Sequence, residues 1–275
     1  MNPRKSFVIH CLAGFFPSCT VLALLLFLAA ASSSAAELPG TPAPGPLPAF
    51  LPGERLTYNV SWSNIVSAGT AVMEVKQERT ADGKDLLRFI STATSIGMLD
   101  SFYTVRDTVQ SLYDPRTQLS RSYSLDQRHG KRKRKRTLVF DHDAKKATYT
   151  SDGATEVVDI KDHVQDALSS LYYIRSVQTL TEGSSIRIPI NDSGKNWDVE
   201  VQILGREKVK TSVGEFNTIK VKTYPKYEGV FMHKGEIFMW LTDDRWRVPV
   251  LMKSTIAIGS IVADLTEMRL GEASP

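Results

Sequence analysis

Strict alternation of apolar and polar residues begins at Glu54. Leu56, Tyr58, Val60 and Trp62 fall on one face and Thr57, Asn59, Ser61 and Ser63 on the other, the period-two pattern of a half-buried strand. Gly69 interrupts the pattern, and Ala71, Met73 and Val75 resume it. Asp82-Gly83 signals a hairpin turn, and strands are predicted around Leu86 to Thr94, Tyr103 to Tyr113, Thr117 to Gln127 and Thr137 to Phe140, with another pair meeting at Asp152-Gly153. A second β series runs through Ile186-Ile188-Ile190, a turn at Asn191 to Gly194, and Trp197-Val199-Val201-Ile203. Strands near Glu207 to Thr211, Glu215 to Thr223, Glu236 to Thr242, Val250 to Ile258 and Ile261 to Leu270 complete it. No repeat of fixed period occurs.

One segment changes period. Over Asp162 to Gln178, Val164, Leu168, Leu171, Tyr172 and Arg175 recur at spacings of three and four, which predicts a helix over about 162–178, capped by Asp162 and followed by Gly183. A dozen or so antiparallel strands must curl, split or close. The expected fold is therefore mainly β: a long, strongly curved antiparallel sheet, a half-open barrel or β-spiral, with the one helix packed into its mouth or bore. Residues 54–271 are expected to form a single β-rich domain.

The N-terminal segment sets the compartment. Arg4 and Lys5 form a positive start, Val21 to Ala31 an apolar core, and Ser34-Ala35-Ala36 a small-residue exit before Glu37, the anatomy of a cleaved signal peptide over 1–36. Weak apolarity from Phe7 onward makes an uncleaved anchor the rival reading, against which stand Pro17 and the Ser34 to Ala36 exit. Cys19 precedes the apolar core, so it is a poor lipidation site. Residues 37–53 are a Pro-rich linker with little to bury. The expected location is periplasmic, with no transmembrane segment after cleavage.

Both cysteines, Cys11 and Cys19, lie in the removable segment, so the mature chain has no disulfide and no thiolate chemistry. Roughly 235 residues remain, enough for an apolar core to hold the fold alone. Loss of Arg4 and Lys5 takes the 34 basic residues to 32 against 30 acidic ones, and such balance argues against nucleic acid as a partner.

Four motifs carry a resemblance. Gly53 to Trp62 with Ala68-Gly69, Asp166 to Tyr172 with Arg175, Glu207 through Val213-Gly214, and Met239 to Asp244 with Pro249-Val250 resemble the exported bacterial proteins of the domain-of-unknown-function 3108 family, over about Leu51 to Leu270. The resemblance implies an envelope protein of Gram-negative-type bacteria with no assigned activity. At the level of fold alone it looks like curved-sheet carriers of the lipoprotein-localisation type and periplasmic β-spiral envelope-integrity proteins.

Candidate chemistry is sparse. His129, His142, His163 and His233 are scattered without a ligand spacing, so no metal site and no cofactor is expected. There is no Gly-x-Ser-x-Gly elbow and no Ser-x-x-Lys pair, and Asp166 with Ser169 on one helix face reads as a structural hydrogen-bonded pair. Asp243-Asp244 reads as turn chemistry, and Asp141-His142-Asp143 lacks the later ligands of a calcium loop. The chain is therefore expected not to be an enzyme; for a hydrolase, the residues to test are Asp166, Ser169, His163 and Arg175. Tyr58, Trp62, Phe89, Tyr103, Tyr113, Tyr172, Trp197 and Trp240 fall mostly at core-facing positions. If the curved sheet leaves a cavity, Tyr58, Trp62, Tyr103, Tyr172 and Trp240 are the candidate lining for an apolar or lipid ligand. Lys131, Arg132, Lys133, Arg134, Lys135 and Arg136 form a run expected at a hairpin tip after Gly130. They are either a contact for an anionic surface or a solvated, edge-protecting loop. The function classes are thus a ligand-binding envelope protein or, alternatively, a structural or assembly factor working through protein contacts.

Overall fold

A computed structural model describes residues 49–227, 230–231, 237–255 and 259–272. The signal segment expected over 1–36 and most of the linker expected over 37–53 lie outside the described residues. Among the described residues no helix is long and apolar enough to cross a membrane.

The strands are β1 (Arg55–Trp62), β2 (Val66–Arg79), β3 (Asp85–Ser95), β4 (Val105–Asp114), β5 (Leu119–His129), β6 (Arg132–Asp141), β7 (Lys146–Ser151), β8 (Ala154–Asp159), β9 (Ser185–Asp192), β10 (Lys195–Thr211), β11 (Gly214–Tyr227), β12 (Val230–Phe231), β13 (Ile237–Thr242), β14 (Pro249–Thr255) and β15 (Ser260–Arg269). Two helices join them, α1 (Gly97–Phe102) and α2 (Ser169–Ser176). All strands form one antiparallel sheet in the order β8-β7-β6-β5-β4-β3-β2-β1-β15-β14-β13-β11-β10-β9, with β12 pairing β11 off this path.

That order explains the position of the helix. The two ends of the chain meet in the middle of the sheet, where β1 pairs β15 from Arg55↔Arg269 to Trp62↔Ile261. The middle of the chain must therefore travel from one outer edge, β8, to the other, β9. It does so across the concave face, and α2 lies on that crossing. The sheet curls until its two ends approach without pairing as strands: the Lys161 Nζ–Asp198 Oδ2 ion pair spans 2.7 Å, and the Asn196 side-chain amide donates to the Asp159 carbonyl at 2.7 Å.

Register follows side-chain pattern. On β1, Leu56, Tyr58 and Val60 point into the core, and on β3 so do Leu87, Phe89 and Ala93. Gly69 sits where the β1–β2 register shifts; a Cβ there would clash with the Thr94 carbonyl oxygen on β3. Ser193 and Gly194 (φ 54 and 76) close the β9–β10 hairpin, and Asp152 and Gly153 (φ 49 and 91) close β7–β8, the left-handed pairs a two-residue turn needs.

Three expectations need correction. The helix is shorter than 162–178. Gln165 forms a parallel bridge with Ile190, and the Asp166 carboxylate, not that of Asp162, accepts the Leu168 and Ser169 N–H groups at 2.7 and 2.8 Å to start the turn. A second helix, α1, bridges β3 and β4. The basic run is not a loop: Gly130 and Lys131 alone make the turn, and Arg132 to Arg136 are the first half of β6.

Candidate functional site

The concave face is filled from the helix side. Tyr172 of α2 stacks on Phe89 of β3 with ring centroids 3.7 Å apart and planes 8° from parallel. Phe50 meets both rings edge-on at 5.1 and 5.3 Å. Such aromatic pairs are worth about 0.5–1.5 kcal/mol each beyond their buried area. One turn on, Arg175 is fully buried: its two terminal nitrogens bind the Glu54 carboxylate at 2.7 Å each, and the guanidinium also donates to the carbonyls of Ala49 and Trp246. Burial alone would lower the pKa of Arg175, but the adjacent Glu54 charge holds it above the ordinary value. The pair thus ties the chain entering β1, the helix and the β13–β14 turn to one another.

Asp166 has a similar structural office. Its carboxylate accepts the Leu168 and Ser169 backbone N–H groups and the hydroxyls of Ser111 on β4 and Ser120 on β5. Burial raises its pKa, and those four donors act against the shift. Ser169 Oγ is spent on its own turn, accepting from Asp166 N–H at 3.0 Å. His163 is exposed, whereas Asp166, Ser169 and Arg175 are buried. The four residues do not form a constellation open to a substrate. In the β13–β14 turn, Asp244 accepts from Thr242 Oγ1, Trp246 N–H and Arg247 N–H at 2.7, 2.9 and 3.1 Å, the turn chemistry its sequence predicts. His233 lies outside the described residues.

The five aromatic residues proposed as a pocket are dispersed. Tyr58 and Tyr172 belong to the packed interior, and Tyr58 donates to the Pro249 carbonyl at 2.9 Å. Trp62 is 37% exposed at the end of β1. Tyr103 lies beside His129, ring centroids 6.0 Å apart. Trp240 alternates with the inward-facing Met239 and Leu241, so it sits on the convex face, where it donates to Glu207 and carries Lys220 Nζ 4.9 Å above its ring. A cavity between α2 and β9–β13, lined by Leu171, Ile174, Ile190, Val199, Thr223 and Met239 among others, has a volume of about 20 Å³. That is room for one water molecule and not for an acyl chain.

The basic run divides by face. Arg134 and Arg136 share the inward face of β6 with Leu138 and Phe140, while Lys133 and Lys135 share the exposed face with Thr137 and Val139. β7 reaches only to Arg136↔Ser151 and its turn residue Asp152 bonds the Lys135 backbone, so Arg132 to Arg134 form a ladder with β5 alone and the hairpin end projects past its neighbour. On the convex side Arg106, Arg128 and Lys133 line up across β4, β5 and β6. Arg106 pairs with Asp100 at 2.7 Å, and Arg128 and Lys135 share Asp126 at 3.3 and 3.5 Å. Among the described residues Lys131, Arg132, Lys133 and Arg134 have no ion pair, so the projecting end carries a net positive charge. Inside it, His129 Nε2 lies 2.9 Å from Asp107 Oδ2, and both side chains are buried.

Compared with known families, residues 57–266 match the model described as protein of unknown function DUF3108. The chain belongs to the DUF3108 family. No curated protein matches this DUF3108 chain. Five solved chains do. One is the β-barrel-like DUF1849 protein from Brucella abortus, 11% identical, covering 82% of this chain and 100% of its own, with a TM-score of 0.56; that likeness shows the fold. A candidate exported protein with a YmcC-like fold from Bacteroides fragilis is 12% identical, covers 80% and 98%, and has a TM-score of 0.35. A candidate lipoprotein from Parabacteroides distasonis is 10% identical, covers 80% and 98%, and has a TM-score of 0.36.

The residues that organise this site were only partly legible. Glu54, Ser111 and Ser120, which satisfy Arg175 and Asp166, gave no periodic signal of their own role. Asp107 and Gln127 fall on the inward parity of their strands, a signal that marks burial but not pairing.

Proposed function

We propose that this DUF3108 protein is an exported, non-catalytic protein of the bacterial envelope that attaches to an anionic envelope component through the projecting end of the β5–β6 hairpin. The observation carrying this reading is the cluster of Lys131, Arg132, Lys133 and Arg134, which has no ion pair among the described residues, on a two-stranded end that outruns β7. A signal-like N-terminus supports the periplasmic location. The packing of Phe50, Phe89 and Tyr172 beneath α2 and the small cavity beside it disfavour an acyl chain held at that part of the sheet, so the recognised chemistry is read as the anionic head of the component and not its tail. Each basic residue near an anionic surface contributes on the order of 1 kcal/mol, so three together contribute about 3 kcal/mol, roughly a hundredfold in affinity. The Lys131→Gln/Lys133→Gln/Lys135→Gln protein should therefore lose cosedimentation with phosphatidylglycerol vesicles at low salt while keeping its melting temperature. Equal cosedimentation of parent and variant would remove the reading and leave the run as an edge-protecting, solvated hairpin.

One observation favours the second reading, an assembly factor acting through protein contacts. Strand β8 ends the sheet with Ala154 to Val157 exposed, and Val139, Thr148 and Val157 form a row across β6, β7 and β8 with both valines exposed. The opposite edge, β9, is partly covered by Gln165, which bonds both Pro189 and Asn191. The Ala154–Val157 part of this edge, short of the Asn196 contact at Asp159, is suited to strand addition by a partner. A pull-down with the Val157→Lys protein that recovers the same stoichiometric partner as the parent would count against it.

A further inference from the structure

The alternation along β6 places three arginines where a solvated charge run would not put them. Arg132, Arg134 and Arg136 have inward parity, opposite His129, Gln127 and Leu125 of β5. Gln127 is itself opposite Asp107 of β4, giving the row Asp107–Gln127–Arg134 across three strands. Directly opposite residues on one face of an antiparallel pair have Cβ atoms about 4.5–5.5 Å apart. The Gln127 amide and the Arg134 guanidinium therefore rise side by side at this end of the concave face.

Two buried donors there are unsatisfied. Gln127 is 6% exposed, and its Nε2 has no hydrogen-bond partner; the same is true of the buried Nε of Arg136. Arg136 uses Nη1 to donate to Ser193 Oγ at 2.7 Å, across the gap between the sheet ends, and its charge acts on nearby Asp192. The Arg134 side chain is half-buried and has no ion pair or hydrogen bond among the described residues. The one carboxylate of the row, Asp107, is already engaged by His129 Nε2 and accepts the Arg128 N–H at 3.4 Å. A buried N–H without an acceptor is costly, and a half-buried guanidinium is a planar fork matched to oxyanions. An oxyanion with its own oxygens is the ligand that would satisfy all three.

From this arrangement we infer a second, concave anion site: Arg134, Gln127 and Arg136 receive a phosphate-type oxyanion at the inner side of the β5–β6 end, with Arg132 at its outer lip. The inference deepens the attachment reading, since a phosphate-bearing head group and free phosphate present the same chemistry. It uses Arg134, Gln127 and Arg136 on the inward face, whereas that reading is tested with Lys131, Lys133 and Lys135. The two can therefore fail separately.

The test is calorimetric titration of the mature protein with inorganic phosphate and with glycerol phosphate, the soluble head-group analogue. Saturable binding to at least one is expected. It should weaken at least tenfold in Arg134→Gln and in Gln127→Leu and remain unchanged in Lys84→Gln, in the β2–β3 turn at the opposite end of the sheet. Arg134→Lys keeps the charge but not the fork and should also weaken binding about tenfold, which guards against loss of fold as the cause; near-UV circular dichroism should match the parent in every variant. Tighter binding of glycerol phosphate than of phosphate assigns the site to a head group, and the reverse order assigns it to the free anion. No saturable binding to either anion, or binding that Arg134→Gln and Gln127→Leu leave intact, overturns the inference. That result would not touch vesicle attachment through the lysines.

Discussion

Replacing Glu54 by Gln should be among the most damaging single changes in this protein, although it only exchanges one oxygen for an NH2 group. The substitution leaves the Arg175 charge fully buried with only two carbonyls and a neutral amide oxygen around it. Removing one partner of a buried ion pair costs about 3–5 kcal/mol, because the remaining charge keeps its desolvation penalty. In a domain of this size each kcal/mol moves the melting temperature by about 2–4 °C, so a fall of roughly 6–20 °C is expected. Arg175→Met should cost a comparable amount by stranding Glu54. The double variant Glu54→Leu/Arg175→Met removes both charges and should recover most of the loss, since well-packed apolar residues often replace a buried pair at no cost. With Glu54→Leu as the matching single variant, urea denaturation of the parent, Glu54→Leu, Arg175→Met and the double variant closes a double-mutant cycle, with an expected coupling of several kcal/mol. A Glu54→Gln protein within about 1 kcal/mol of the parent, or additive single changes, would refute the reasoning. Arg175 would then not depend on Glu54 for its place in the core.

Asp166→Asn should cost under about 1 kcal/mol at neutral pH, because Oδ1 still accepts the two backbone N–H groups and the serine hydroxyls can rotate to accept, whereas Asp166→Ala strands four donors and should cost about 2–4 kcal/mol by denaturant titration. The folded-state pKa of Asp166 is raised, so its favourable contribution is complete below the unfolded value and is lost as pH rises through the folded one; the stability of Asp166→Asn relative to the parent should therefore increase from pH 4 to pH 7. Gly69→Ala should destabilise by about 1–3 kcal/mol, since its Cβ meets backbone on β3 and not a movable side chain, and a melting temperature equal to the parent's would contradict that contact. Thr223→Val should be neutral or stabilising by up to about 1 kcal/mol, as it removes a buried hydroxyl without a partner beside the one-water cavity; a clear loss in urea would show that the hydroxyl holds a water there.

What the sequence made legible is what is written locally. Alternation at Leu56, Tyr58 and Val60 and the turn at Asp152-Gly153 reappear as a strand and a two-residue hairpin, and the turn read at Asn191 to Gly194 tightens to Ser193-Gly194, because side-chain parity and positive φ are properties of neighbours. Helical period overran the true helix at Val164 and Leu168: those residues are buried too, but by a segment that spends its backbone on β9. The failure at β6 has a different cause. Six like charges suggest solvation, yet the run alternates lysine and arginine residue by residue, and the pleat turns that alternation into two surfaces. The lysines face out with short-range acidic partners or none, and the arginines face in toward Gln127, His129 and the β9–β10 turn. Composition could not separate them; only the position of β6 in a curled sheet does. The Glu54–Arg175 pair was hidden for the same reason, since 121 residues of chain separate its members and only the pairing of β1 with β15, with α2 crossing beneath, brings them together. Side-chain placement in this fold thus depends least on the strands the sequence announces. It depends most on where the sheet's curl brings residues from opposite ends of the chain within hydrogen-bond reach.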